Sequence, residues 1–299
     1  VLEVEEVRVP SAAPGQVVVR VRAAGINPGE AKIRSGALHE RFPATFPSGE
    51  GSDFAGTVTE VGPGVETWRA GDSVLGWSWE RSSHAEYVAV PAEQVVAKPD
   101  GLDWTAAGAL YVAGCTASAA VDAVDPKPGE NVVVSAAAGG VGSIAIQLLR
   151  LRGARALAIA SSRHQGWLES KDAAVVYYGE GLEQRIEQAA EGVPAAFLDF
   201  YGGDYVHLAV GLGIAPQRIN TIDYAAAASY GTKSAASAEG SRPEVLAELA
   251  GLAAAGQIEV PVSATYPLAD VRKAFAELEQ GHTLGKIVLT FPSADGSAG

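Results

Sequence analysis

A chain of 299 residues, 47% hydrophobic and only 19% charged, carries enough apolar material for a sizeable core and has the length at which one large domain gives way to two. Its formal net charge of −13 opposes a nucleic acid or an anionic membrane surface as partner and points to a small molecule. The single cysteine, Cys115, excludes an intrachain disulfide framework and a thiolate-rich zinc site, so a reducing, cytoplasmic setting is expected.

The first third reads as β structure. Valine-rich runs at residues 4–9, 16–23 and 56–61 are separated by turn clusters such as Pro14-Gly15 and Gly62-Pro63-Gly64, and further strands are expected from residue 71 and over 84–90. This spacing predicts a small barrel or rolled sheet. After Pro99-Asp100-Gly101 the texture changes to alanine-rich helix over 104–110 and 115–124.

Residues 131–142, NVVVSAAAGGVG, then run an apolar β-branched strand into a glycine-rich turn and a helical pattern. The turn lets backbone N–H groups approach a pyrophosphate, so Ala138, Gly139, Gly140, Val141 and Gly142 are candidate cofactor-binding residues. It departs from the strict G-x-G-x-x-G spacing, because Ala137 stands at the first glycine position. The apolar stretch 132–149 is about as long as a membrane span, but its glycines and Ser135, Ser143 and Gln147 divide it into strand and helix. Strands over 156–160, 174–178, 196–200 and 218–222 alternate with helical segments, which calls for a doubly wound parallel sheet. Helices over 243–255 and 271–279 and a last strand at 285–291 follow, and residues 293–299 are expected to form a disordered tail.

The pieces GINPGEAKIRSG (25–36), GSDFAGTVTEVGPGV (51–65), GDSVLG (71–76), HAEYVAVP (84–91), AAAGGVG, TYPLADVRKAF (265–275) and GHTLGKIVL (281–289) occur in one order over nearly the whole chain. With them the chain resembles the zinc-independent quinone oxidoreductase branch of the medium-chain dehydrogenase/reductase family. The resemblance implies an α/β protein with a GroES-like, β-rich substrate domain (residues 1–112 and 257–292) and a Rossmann doubly wound parallel-sheet cofactor domain (113–256). It further implies a nicotinamide cofactor in the cleft and a homodimer. Relatives carry a further strand upstream; with no methionine in the chain, residues before Val1 are expected.

Catalytic zinc needs three protein ligands of the Cys, His or carboxylate type. Where zinc-dependent relatives place cysteine and histidine, this chain reads Asn27-Pro28-Gly29-Glu30 and Gly49-Glu50-Gly51, so no metal is expected. Cofactor choice rests on the end of the second strand, where an acidic residue would bind the ribose diol of NADH. Ser161, Ser162 and Arg163 stand there instead, and Arg163 can pair with a 2′-phosphate, although an ordinary solvated loop arginine is the alternative. Tyr178 matches a family tyrosine that touches the same phosphate, and NADPH is the expected cofactor. The resemblance places Asn27 and Lys32 in a loop at the nicotinamide and substrate. Lys32, partly desolvated, would orient the substrate oxygen, or else face solvent. Thr116 and Ile222 match positions by the nicotinamide; Lys286 is either cofactor-side or a strand-edge lysine.

The expected activity is NADPH-dependent, metal-free hydride transfer to a quinone or an α,β-unsaturated carbonyl compound. Lys32 stands where quinone-type members carry tyrosine, which tilts the reading towards double-bond reduction. A non-catalytic NADPH-binding protein with a structural or partner-binding role is the alternative, since fold alone does not establish activity.

Overall fold

A computed structural model describes residues 2–292. Its elements, in chain order, begin with β1 (Gln16–Gly25), α1 (Pro28–Arg34), β2 (Asp53–Val61), β3 (Ser73–Trp77), β4 (Tyr87–Pro91), β5 (Val95–Ala97) and α2 (Trp104–Gly108). There follow α3 (Tyr111–Val124), β6 (Asn131–Val134), α4 (Gly140–Leu151), β7 (Arg155–Ala160), α5 (Gln165–Glu169), β8 (Ala174–Tyr177), α6 (Leu182–Ala190) and β9 (Ala196–Asp199). The last are α7 (Tyr205–Gly211), β10 (Ile219–Thr221), α8 (Tyr224–Tyr230), α9 (Ser237–Gly240), α10 (Pro243–Ala254), β11 (Val262–Pro267), α11 (Val271–Gln280) and β12 (Lys286–Thr290). The chain divides into two compact units. One holds residues up to Val112 and those from Arg242 onward; the other is Ala113–Ser241.

The first unit is one sheet in the order β11-β12-β1-β2-β3-β5, with β4 also on β1. One edge of β1 pairs antiparallel with β2, and the other is shared by β4 and β12. Val17, Val19 and Val21 alternate into a core with Phe54, Val58, Val88, Phe275, Ile287 and Leu289. β12 returns to the N-terminal domain as expected, pairing Gly25 with Val288. The chain rejoins this unit at Arg242 rather than at 257, because α10 packs on β5. Residues 4–9 form no strand. Their valines are exposed, at 52%, 77% and 57%, and the three-residue step from Val4 to Val7 gives a strand no single apolar face. The expected tail at 293–299 lies outside the described residues.

In the second unit five parallel strands are ordered β10-β9-β6-β7-β8. Their interiors are nearly continuous Val, Ile, Leu and Ala, as a sheet covered on both faces requires. The chain moves from β6 to β7 on one side and later reaches β9 on the other, so the order reverses at β6. Such a reversal opens a ligand position beyond the carboxyl ends of the strands. None of the described helices is long and apolar enough to cross a membrane.

Candidate functional sites in the two units

In the second unit, α4 begins immediately after β6 and its N-cap, Gly139, supplies no side-chain cap. The first N–H groups of a helix have no intrahelical acceptor, so an uncapped start, with the macrodipole behind it, attracts an anion. Gly139, Gly140 and Val141 are partly exposed at the crest of the turn, and Ala138 and Gly142 are buried beneath it. A Cβ on Gly142 would lie 2.3 Å from the Ala136 carbonyl oxygen and 2.7 Å from the Ala137 Cα, so only glycine lets the helix start this close to the strand end. Ala136 is itself left-handed at φ 45°, an uncommon conformation for a residue with a Cβ. The residues therefore fit a pyrophosphate.

Because the strands are parallel, Ser161, Ser162 and Arg163 after β7, Tyr178 after β8 and Ile222 after β10 come to the same edge of the sheet as this turn. Arg163 is exposed and has no ion pair among the described residues, and Tyr178 is 49% exposed. Thr116 is buried on α3. The sequence reading passed over Asp199, fully buried at the end of β9. It accepts from Ser135 Oγ at 2.6 Å, from Thr221 Oγ1 at 2.7 Å, and from the N–H groups of Tyr201 and Gly202 at 3.0 Å. These bonds tie the ends of β6, β9 and β10 together at the candidate edge. An acid closing the apolar run Ala196–Asp199 was the available signal.

In the first unit, Asn27 and Lys286 meet in a buried polar cluster, and Lys32 does not join them. The expected loop is α1: Asn27 is its N-cap, Pro28 its first residue, and the Glu30 side chain returns to accept from the Asn27 N–H at 2.9 Å. Asn27 Nδ2 donates to Glu30 Oε1 at 3.1 Å and to Asp53 Oδ2 at 2.6 Å, while its Oδ1 accepts from Lys286 Nζ. Both amide hydrogens are thus committed, and Asn27 has none left for a substrate oxygen. Lys286, only 4% exposed, also donates to the Ile26 carbonyl at 2.9 Å and lies 3.7 Å from Asp53 Oδ2. It is neither a strand-edge lysine nor a solvated one. Lys32 sits on the exposed side of α1, so the desolvation expected of it is not found.

Asp53 is fully buried. Burial pushes its carboxyl above the usual range, Lys286 and the Asn27 hydrogen bond oppose that, and the Val112 N–H donates to its Oδ1 at 2.7 Å. The His84 ring lies 3.8 Å from Glu30 Oε2 and 3.3 Å from the Gly25 carbonyl. It packs where a Cβ on Gly51, at φ 93°, would come within 2.2 Å. Asp53 carries no mark in the sequence reading; an aspartate opening an apolar strand is its signal.

Glu50 pairs with Arg34 at 2.5 Å, yet burial raises its carboxyl to about 7, with Glu30 adding to the rise and Arg34 opposing it. Folding then takes up a proton between the ordinary value of 4.5 and about 7. Stability from this group is full below that window and falls as pH rises through it, by about 1–3 kcal/mol. Glu50→Gln should flatten the fall, measured as thermal midpoint against pH from 4.5 to 8. An unchanged slope would assign the effect to another group.

Residues 13–100 match the alcohol dehydrogenase GroES-like domain, and residues 188–289 match the family described as zinc-binding dehydrogenase. Between them they cover more than half of the chain. The Pseudomonas aeruginosa quinone oxidoreductase is 28% identical, the alignment covering 97% of this chain and 95% of the relative. A chloroplast envelope quinone oxidoreductase homolog of Arabidopsis thaliana is also 28% identical, over 96% of this chain and 93% of its own. The structure of the quinone oxidoreductase from Coxiella burnetii superposes with a TM-score of 0.85 at 27% identity, over 96% and 93% of the two chains. A GroES-like unit followed by a parallel-sheet nucleotide unit defines an alcohol dehydrogenase-type oxidoreductase with a nicotinamide cofactor. Within that class the chain belongs to the quinone oxidoreductase branch of the medium-chain dehydrogenase/reductase family. Zinc does not fit the donors: among the described residues no three His, Cys, Asp or Glu side chains are grouped to hold a metal ion. Inside the acidic cluster a cationic position is taken by Lys286 Nζ.

Proposed function

We propose that the protein is an NADPH-dependent reductase of quinones or α,β-unsaturated carbonyl compounds that works without a metal. The observation that carries the cofactor choice is the end of β7. Ser161, Ser162 and the exposed Arg163, which has no ion pair among the described residues, offer hydroxyls and a guanidinium, with no carboxylate after β7 to repel a 2′-phosphate. The uncapped start of α4 takes the pyrophosphate, and Tyr178 stands at the next strand end. A nicotinamide cofactor held there would supply the hydride, and a solvent proton would complete the reduction.

The chain's own residues orient the acceptor and meet the negative charge that develops on its oxygen. Asn27 acts as an anchor: locked by Glu30, Asp53 and Lys286, it fixes the start of α1. Asn27 has both amide hydrogens committed, whereas the exposed Lys32 keeps its ammonium N–H groups free among the described residues and takes the donor role. Being exposed, it can be replaced with little effect on folding. Lys32→Ala should lower kcat with 2-cyclohexenone about 10-fold or more and leave the thermal midpoint and the Kd for NADPH nearly unchanged. Unchanged turnover would remove Lys32 from the mechanism.

The reading as a whole is tested by following NADPH and NADH oxidation in parallel against a benzoquinone, a naphthoquinone, a 2-alkenal and a cyclic enone. Consumption of NADPH with formation of hydroquinone or saturated carbonyl product is expected. Tight NADPH binding with no turnover on any of the four would instead favour the non-catalytic reading. The lone, buried Cys115 suits action in a reducing compartment such as the cytoplasm.

A further inference from the structure

Three aromatic side chains of the first unit form a group to which nothing above gives a role. Trp77, the last residue of β3, stacks face to face on Tyr111, with ring centroids 5.0 Å apart and planes 7° from parallel. Trp79 stands edge-on to the same Tyr111, at 6.4 Å and 90°. Trp77 and Tyr111 are each 3% exposed, whereas Trp79 is 48% exposed. The buried pair therefore braces a half-bare indole.

The group is fixed to the polar cluster by backbone. Trp77 pairs with Asp53 in the β2–β3 ladder, and the Val112 N–H, next to Tyr111, donates to Asp53 Oδ1. Independently, Trp77 Nε1 is buried with no hydrogen-bond partner among the described residues. A buried indole donor left without an acceptor is uncommon and disfavoured in a folded chain. It asks for an oxygen that the described residues do not provide.

We propose that the exposed indole of Trp79, braced by Tyr111, is the platform for the flat ring of a quinone acceptor, and that the Trp77 N–H donates to a ring carbonyl oxygen when the acceptor is bound. The inference rests on the reductase reading above and selects quinones over open-chain enals within it. Aromatic rings attract one another by offset stacking and edge-to-face contact, and the half-exposed indole of Trp79 offers both. An electron-poor quinone ring suits the electron-rich indole face. A linear 2-alkenal has the carbonyl but no ring face to use.

The test compares wild type, Trp79→Ala and Trp79→Phe with 2-methyl-1,4-naphthoquinone and with 2-hexenal. Trp79→Ala should raise the KM for the naphthoquinone about 3–10-fold, leave the KM for 2-hexenal and for NADPH within about 2-fold, and keep the thermal midpoint; Trp79→Phe should recover most of the loss. Equal changes for both acceptors, or none, would overturn the proposal. A second readout does not need turnover: titration with the naphthoquinone should quench the tryptophan fluorescence of the wild type, and the half-quenching concentration should rise about 3–10-fold in Trp79→Ala and stay near the wild-type value in Trp79→Phe. If the wild type oxidises NADPH with neither acceptor, the reductase reading fails, and the quenching still decides the ring site: a half-quenching concentration that rises in Trp79→Ala and is restored in Trp79→Phe supports the platform, and one unchanged in Trp79→Ala overturns it.

Discussion

Lys286→Met should lower the stability of the first unit by about 3–5 kcal/mol at pH 8, the range seen when one partner of a buried pair is removed and the other charge stays behind. The Lys286 Nζ lies among the Ile26 carbonyl, Asn27 Oδ1 and Asp53 Oδ2, and all three lose their donor or countercharge together. Methionine keeps the length of the side chain, so the loss reports the charge and its hydrogen bonds rather than a cavity. The pH dependence has a definite sign. Burial already raises the Asp53 carboxyl, and Lys286 is the largest influence holding it down. Without that lysine the carboxyl rises further, and below its new value it is neutral and its burial costs little. The deficit of Lys286→Met should therefore shrink as pH falls from 8 towards 5.5. Adding Asp53→Asn should recover part of it at pH 8, because an amide needs no countercharge. Urea unfolding of the two single variants and the double variant at both pH values measures this. A deficit that is equal at both, or additive in the double variant, would show that Lys286 and Asp53 are not energetically coupled.

That cluster was poorly legible in the sequence, for a physical reason. Its members come from the end of β1, the start of α1, the first residue of β2 and the first of β12, and Asn27 and Lys286 are 259 positions apart. No local pattern announces such a meeting. Asn27, Lys32 and Lys286 were selected only through the resemblance to relatives, which supplied positions without hydrogen-bond partners. Asn27-Pro28-Gly29-Glu30 is nonetheless a helix start in plain sight, with an N-cap residue, proline at the first turn and glutamate three positions on. Reading it would have placed Lys32 on a helix face, where exposure is the ordinary state of a lysine. The phosphate turn was legible because its demands are local. Gly142 must be glycine for a contact made within its own strand-turn-helix unit, and the apolar runs of β6, β7 and β9 need only be buried on both sides. The misread strand at residues 4–9 shows the converse. Valine content without a period of two gives no face to bury, and the chain there stays exposed.

Arg163→Ala should raise the KM for NADPH about 10–100-fold while changing that for NADH by less than about 2-fold, since a hydrogen bond between charged groups contributes about 1.5–3 kcal/mol. Arg163 is well placed for a clean result. It is exposed and free of ion pairs among the described residues, so its removal should leave the fold nearly untouched. The nearby Ser162 hydroxyl and Tyr178 would keep part of the phosphate affinity, which is why a complete loss is not expected. Salt separates charge from shape. The wild-type KM for NADPH should climb as ionic strength increases, because the guanidinium and the 2′-phosphate are screened, whereas the variant should be nearly flat. Arg163→Glu places a carboxylate at the end of β7 and should reverse the preference towards NADH, both by repelling the phosphate and by offering an acceptor to the ribose hydroxyls. If Arg163→Ala weakens both cofactors equally, the arginine supports the turn after β7 rather than the phosphate, and selection passes to Ser162 and Tyr178. If neither cofactor is affected, the end of β7 does not select the cofactor, and the assignment of NADPH falls with it.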